Sequence, residues 1–179
     1  MLKFAKRLVP ATTAEAHEML LANRGARVLG GGLWLRQGRR AIACAIDLSA
    51  CGLDYIEESD DAFVVGAMTP LADLEHDAAF NSATCGVFEH AVHDIVGVQF
   101  RNLATVGGSL YGRFGFSDVL TALMALAPGS SSPAPAASTC PPLPRVPMSA
   151  TCSSTSWSIV VRTRPPTAAF VVRRLISPW

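Results

Sequence analysis

Apolar and polar positions change their period several times along the chain, and each change marks an element. In TTAEAHEMLLAN (residues 12–23), Ala16, Met19, Leu20 and Ala22 gather toward one face, Thr12 offers a capping oxygen and acids occupy the first turns. This predicts a helix of about three turns that stops near Gly25. ARVL predicts a short strand that runs at once into Gly30, Gly31 and Gly32, after which Leu33, Trp34 and Leu35 resume the chain. AIACAIDLS predicts a buried strand ended by Asp47. LDYIEES and AFVVGAM alternate around Asp60-Asp61 and predict a hairpin.

Further on, Thr69-Pro70-Leu71-Ala72-Asp73 reads as a helix start, with Thr69 at the cap and Pro70 at the first helical position. Residues 84–96 predict another helix: Val87, Ala91 and Ile95 fall on one face, Glu89, His90, His93 and Asp94 point outward, and Gly97 ends it. Ser117 caps a final helix over residues 118–126. This succession of helices and hairpins after a βαβ-like start indicates an α+β fold rather than a uniform parallel sheet.

Composition divides the chain. All fourteen acidic residues lie between Glu15 and Asp118, and ten of the twelve prolines fall at or after Pro128. Residues 128–156, rich in Pro, Ser, Thr and Ala, lack apolar periodicity and would not bury a core. Two readings stand: a disordered linker, or a stretch translated out of frame. One choice of codons for residues 147–156, with two nucleotides dropped, encodes an acidic, β-prone segment; resequencing the gene decides between them. Residues 157–179 become strand-like again through Ile159-Val160-Val161 and Phe170-Val171-Val172.

The net charge of +1, without a basic stripe, argues against nucleic-acid binding. The longest apolar run, Val119 to Ala127, is too short to cross a bilayer, and nothing at the start reads as a signal peptide. The five scattered cysteines contain no C-x-x-C, which fits a reduced, cytoplasmic protein with no zinc or iron–sulfur site of its own.

Two glycine clusters carry the candidate chemistry: Gly30-Gly31-Gly32, and Thr105-Val106-Gly107-Gly108-Ser109. Glycine lets backbone amides converge on a phosphate, yet either cluster is also an ordinary turn, and neither matches a Rossmann or P-loop motif. Arg101 is a phosphate ligand or half of an ion pair with an acid such as Asp94. Asp118 is a helix-dipole partner or an acceptor for ribose hydroxyls. The four histidines, His17, His76, His90 and His93, show no metal-like spacing and read as surface residues. With no nucleophile–base set visible, any chemistry belongs to a bound cofactor.

In order, GGGLWL, IDLS with GLDYIEE, VVGAMTPLADLE and GVQFRNLATVGGSLYGRFGFSDVLTALMAL resemble the FAD-binding subunit of molybdenum hydroxylases. These are of xanthine dehydrogenase and carbon monoxide dehydrogenase type, built on the p-cresol methylhydroxylase-like FAD fold. The resemblance implies an FAD-binding domain over residues 1–127, in subdomains of about 1–50 and 51–127, followed by the 128–156 segment and the strand-like end. It also implies that the chain is truncated, without the family's C-terminal domain. Arg27, Val28, Leu29, Gly30, Gly31, Gly32, Leu33 and Trp34 would form one pyrophosphate loop. Thr105, Val106, Gly107, Gly108 and Ser109 would form the other, with Ser117 and Asp118 toward the ribose and Tyr111, Phe114 and Phe116 walling the flavin. FAD would be noncovalent, would take electrons from a partner 2Fe–2S subunit and pass them to NAD or another acceptor, and molybdopterin would reside on a third subunit. Many relatives continue the first loop Gly-Gly-Thr-Asp; here Leu33-Trp34 replaces the hydroxyl and carboxylate, leaving backbone amides as donors. The competing reading is an inert truncated or frameshifted product, at most an interaction module.

Overall fold

A computed structural model describes residues 3–39, 41–60, 62–112, 114–126, 158–162 and 171–172. Strands β1 (Phe4–Leu8), β2 (Arg27–Leu29) and β3 (Ile42–Asp47) form a parallel sheet in the order β1-β3-β2. Being central, β3 is buried where it matters, with Ala45 and Ile46 fully enclosed. Helix α1 (Thr13–Ala22) begins as the sequence predicts: Thr12 Oγ1 accepts from the Glu15 amide, and the Glu15 carboxylate accepts from the Ala11 amide. A first core gathers Ala16, Ala26, Cys44, Ile46, Leu48 and Leu53.

The register Val28↔Ile46 and Leu29↔Asp47 delivers the first glycine cluster to the carboxyl edge of this sheet. Asp47 secures that edge, pairing with Arg7 of β1 and accepting from the Ser49 amide. Burial alone would raise its pKa, but the Ser49 and Arg7 hydrogen bonds and the Arg7 charge outweigh this and hold it below the ordinary carboxylate range.

The hairpin forms as β4 (Ile56–Ser59) and β5 (Ala62–Gly66), antiparallel, and β6 (Ser158–Arg162) and β7 (Val171–Val172) extend it in the order β4-β5-β6-β7. The strand-like end thus forms strands, and β6 enters the core. Ile159 lies opposite Val65 and Val161 opposite Phe63, all four at most 3% exposed. Ile159→Ala should therefore cost about 2–5 kcal/mol, read as a lower urea midpoint at unchanged slope. The segment 128–156 lies outside the described residues.

Helices α3 (Leu71–His76), α4 (Ala78–Ala83), α5 (Val87–His93), α6 (Val98–Arg101), α7 (Val106–Tyr111) and α8 (Asp118–Leu126) pack into the second core. Several boundaries differ from the sequence reading. Pro70, not Thr69, is the cap of α3; Thr69 is buried, its hydroxyl accepting from the Tyr55 amide and donating to the Tyr55 carbonyl. The helix expected over 84–96 is interrupted, because Thr84 ends α4 and Cys85 and Gly86 turn through positive φ before α5. The face that α5 buries is Phe88 and Val92, with Val87, Ala91 and Ile95 beside it; Glu89, His90, His93 and Asp94 are exposed as expected. Gly97 starts α6 rather than ending α5. Asn81 joins three helices, donating to the Leu74, Glu75 and Asp77 carbonyls and accepting from the Glu89 amide. Among the described residues no helix is long and apolar enough to cross a membrane.

Candidate functional site

Each glycine cluster packs at backbone contact, the first against residues 103–104 immediately before the second, and the second against Ala67. A Cβ placed on Gly31 would stand 1.6 Å from the Leu103 carbonyl oxygen, and one on Gly107 2.7 Å from that of Ala67. Only glycine permits this approach at Gly31. Both clusters sit at short helices rather than in bare turns: Gly32, at φ 71°, precedes α2 (Leu33–Gln37), and Thr105 caps α7.

Beside this junction lies a cleft of about 630 Å³. Its lining includes Arg27, Val28, residues 30–34, residues 107–109, Ser117 and Asp118, so most of the expected site converges. Leu29, Thr105 and Val106 do not line it: Leu29 is held in the ladder opposite Asp47, and Thr105 and Val106 are buried beneath.

Hydrogen bonding separates the two loops. The amides of Val106, Gly107, Gly108 and Ser109 donate to the Thr69 carbonyl, the Ala67 carbonyl, Thr105 Oγ1 and the Thr105 carbonyl, at 2.9–3.2 Å. These four donors have partners within the chain. The amides of residues 31–35 make no hydrogen bond among the described residues. Ser109 and Ser117 are also occupied. Ser109 Oγ donates to the Thr105 carbonyl, while Ser117 Oγ donates to the Ser109 carbonyl and accepts from the Leu120 amide that it caps. These serines tie α7 to α8 and leave only acceptor positions toward the cleft.

Phe114 and Phe116 stack at 5.1 Å and 14° between planes, and Trp34 meets them at 4.8 Å and 5.5 Å. All three rings line the cleft, as does Tyr111.

Arg101 resolves to the ion-pair reading, with Glu75 rather than Asp94 as its partner. Its Nε donates to Glu75 Oε2 at 2.7 Å, its Nη2 reaches Oε1 at 3.4 Å, and both side chains are under 10% exposed. Arg101 Nη1 also donates to the carbonyl of Ile95, a lining residue, so the buried pair braces one wall of the cleft. His93, on the outside, contributes its Nδ1 at 2.9 Å from Glu75 Oε1. The sequence signal for this network was a carboxylate four positions after Leu71 on a helix face that buries, where an unpaired charge is not tolerated. Cys44 and Cys51 are free thiols and Cys85 is disulfide-bonded, which departs from the expected reduced state. No cluster of metal-binding side chains occurs among the described residues.

A glycine-packed cleft beside a small parallel sheet, with an antiparallel sheet carrying the second core, is the architecture of an FAD-binding domain. The chain belongs to the family described as FAD binding domain in molybdopterin dehydrogenase, whose model matches residues 3–128. Its fold is shared by the Cu,Mo-CO dehydrogenase in its cyanide-inactivated form, at TM-score 0.56 and 26% identity over 61% of this chain and 40% of that one. A carbon monoxide dehydrogenase from Hydrogenophaga pseudoflava lacking the Mo-pyranopterin moiety matches at TM-score 0.55 and 27% identity, over 60% of this chain and 39% of that one. Quinoline 2-oxidoreductase from Pseudomonas putida 86 shares the fold at TM-score 0.54 and 24% identity, over 62% of this chain and 39% of that one. The chain thus spans about two fifths of the length of these structures. Comparison with curated proteins gives no match.

Proposed function

We propose that this chain is the FAD-holding, electron-transfer part of a molybdenum hydroxylase. FAD is bound noncovalently, electrons arrive from 2Fe–2S clusters on a partner subunit, and NAD or another acceptor removes them. Substrate oxidation takes place on a molybdopterin-bearing partner of xanthine dehydrogenase or carbon monoxide dehydrogenase type. The observation that carries this reading is the pairing of unpartnered amides at residues 31–35 with a cleft that both glycine clusters line. Residues 31–35 donate to the diphosphate, residues 27–30 carry that loop out of the sheet, and residues 105–109 support it from beneath. Asp118, exposed at the start of α8, accepts from ribose hydroxyls. The flavin supplies the electron exchange; the chain's own residues bind it, orient it and shield it on the Ile95 side. A cytoplasmic location belongs to the same reading, with the free thiols for it and the Cys85 disulfide against it.

The test is retention of flavin. Full-length chain incubated with FAD and passed through a desalting column should emerge yellow, with flavin absorbance near one per chain. Colourless protein with an intact circular-dichroism spectrum would favour the inert-product reading instead.

A further inference from the structure

Val96 holds a backbone conformation that its side chain does not explain. Its φ is 48°, a region that β-branched residues avoid because Cβ crowds the carbonyl oxygen. The side chain is 83% exposed, so packing does not offset the strain. Val96 lies between α5 and α6, in residues 94–97, and Asp94, Ile95 and Val96 all line the cleft. The carbonyls of both its chain neighbours are held by one residue. Arg101 Nη1 donates to the Ile95 carbonyl at 3.3 Å, and the Arg101 amide donates to the Gly97 carbonyl at 3.0 Å. The Arg101 side chain is itself fixed, because its Nε and Nη2 are bonded to buried Glu75.

We infer that Arg101 is a positioning residue, which latches the strained strap of residues 94–97 in place as a movable wall of the cleft. That FAD is the ligand behind this wall rests on the reading above; the latch rests on the strain and on the two held carbonyls. Strain of this kind persists only where the surroundings over-determine it, as they do in ligand clamps and switches. With the strap latched, Ile95 packs on the second core and closes the cleft on that side. With it released, Val96 returns to negative φ and the wall moves away. Arg101 and the backbone of Val96 therefore act in opposite directions on how long the cleft keeps its ligand. One holds the wall; the other drives it open.

The test is the rate of FAD release from the full chain, followed by stopped-flow fluorescence. It compares wild type, Arg101→Lys, Val96→Gly, Val96→Asn and the double variant Arg101→Lys/Val96→Gly. Lysine keeps a charge beside Glu75 but lacks the fork that reaches Ile95 at the same time. Glycine and asparagine tolerate positive φ, and at so exposed a position neither removes core packing. Arg101→Lys should speed release by about threefold to thirtyfold. Val96→Gly and Val96→Asn should slow it by about fivefold to thirtyfold, and the double variant should return close to the wild-type rate. Hydrogen exchange on the ligand-free chain reads the latch separately, with the amides of β5 and β6 reporting global opening. Protection of the Ile95, Phe100 and Arg101 amides should fall in Arg101→Lys and rise in Val96→Gly. Faster or unchanged release in the Val96 variants, a double variant as fast as Arg101→Lys alone, or exchange that changes equally in β5 and β6 would overturn the proposal. A wild type that takes up no FAD while the exchange pattern holds would sink the cofactor reading and support the latch.

Discussion

Gly31→Ala should abolish FAD retention and destabilise the chain by several kcal/mol. The added Cβ would have to occupy space 1.6 Å from the Leu103 carbonyl oxygen and 2.6 Å from its carbon, both backbone atoms that no rotamer change can move aside. Either the first loop lifts from residues 103–104 or the second shifts beneath it, and both movements displace the free amides of residues 31–35. Gly25→Ala is the control. Gly25 has φ 81° but open space around it, so only backbone strain is added, about 1 kcal/mol. Urea melts and flavin absorbance after desalting read the two effects. Equal behaviour of the variants would show that the contact of Gly31 with residues 103–104 does not hold the site.

Arg101→Met should have the second largest effect, lowering stability by about 3 kcal/mol, because it strands the Glu75 carboxylate in a buried position. Glu75→Gln combined with Arg101→Met should cost less than the sum of the single changes, since no charge is then left unpaired. The same pair sets a pH dependence. Burial raises the Glu75 pKa, but hydrogen bonds from His93 and Arg101 and the Arg101 charge overcome it, so the folded carboxyl titrates below its ordinary range. A depressed carboxyl contributes stability that is fully present above its unfolded pKa of about 4.3 and is lost as pH falls through the folded value. Wild type should therefore lose stability on acidification below about pH 5, and the double variant should lose less over the same window.

Legibility in the sequence followed how local each determinant is. The capped helix α1, the β4–β5 hairpin and α8 depend on neighbours within a few residues, and each formed close to expectation. The helix break at Cys85-Gly86 was missed because an apolar periodicity ran through it, while the chain reversal is fixed by Asn81 holding three helices. At the site, glycines and aromatics were visible as residue types, and most of the expected positions line the cleft. Which loop keeps its amides free was not visible. That depends on the carbonyls of Ala67 and Thr69 arriving against residues 106–107 from a distant segment. Glu75 as the partner of Arg101 was hidden for the same reason, since the pairing joins α3 to α6 across 26 positions.

The partnership of β5 with β6 sets a timetable for the growing chain. Ala62 pairs with Arg162, so the hydrogen-bonding edge of β5 stays open while about a hundred further residues are made. At roughly 5–20 residues per second that is a wait of about 5–20 s, during which Phe63 and Val65 face a strand that has not yet left the ribosome. An open apolar edge of this kind is a template for pairing with other chains. Yield in a heterologous host should therefore depend on chaperone supply and growth temperature more than the finished fold's stability suggests. The hazard ends when Ile159 and Val161 arrive.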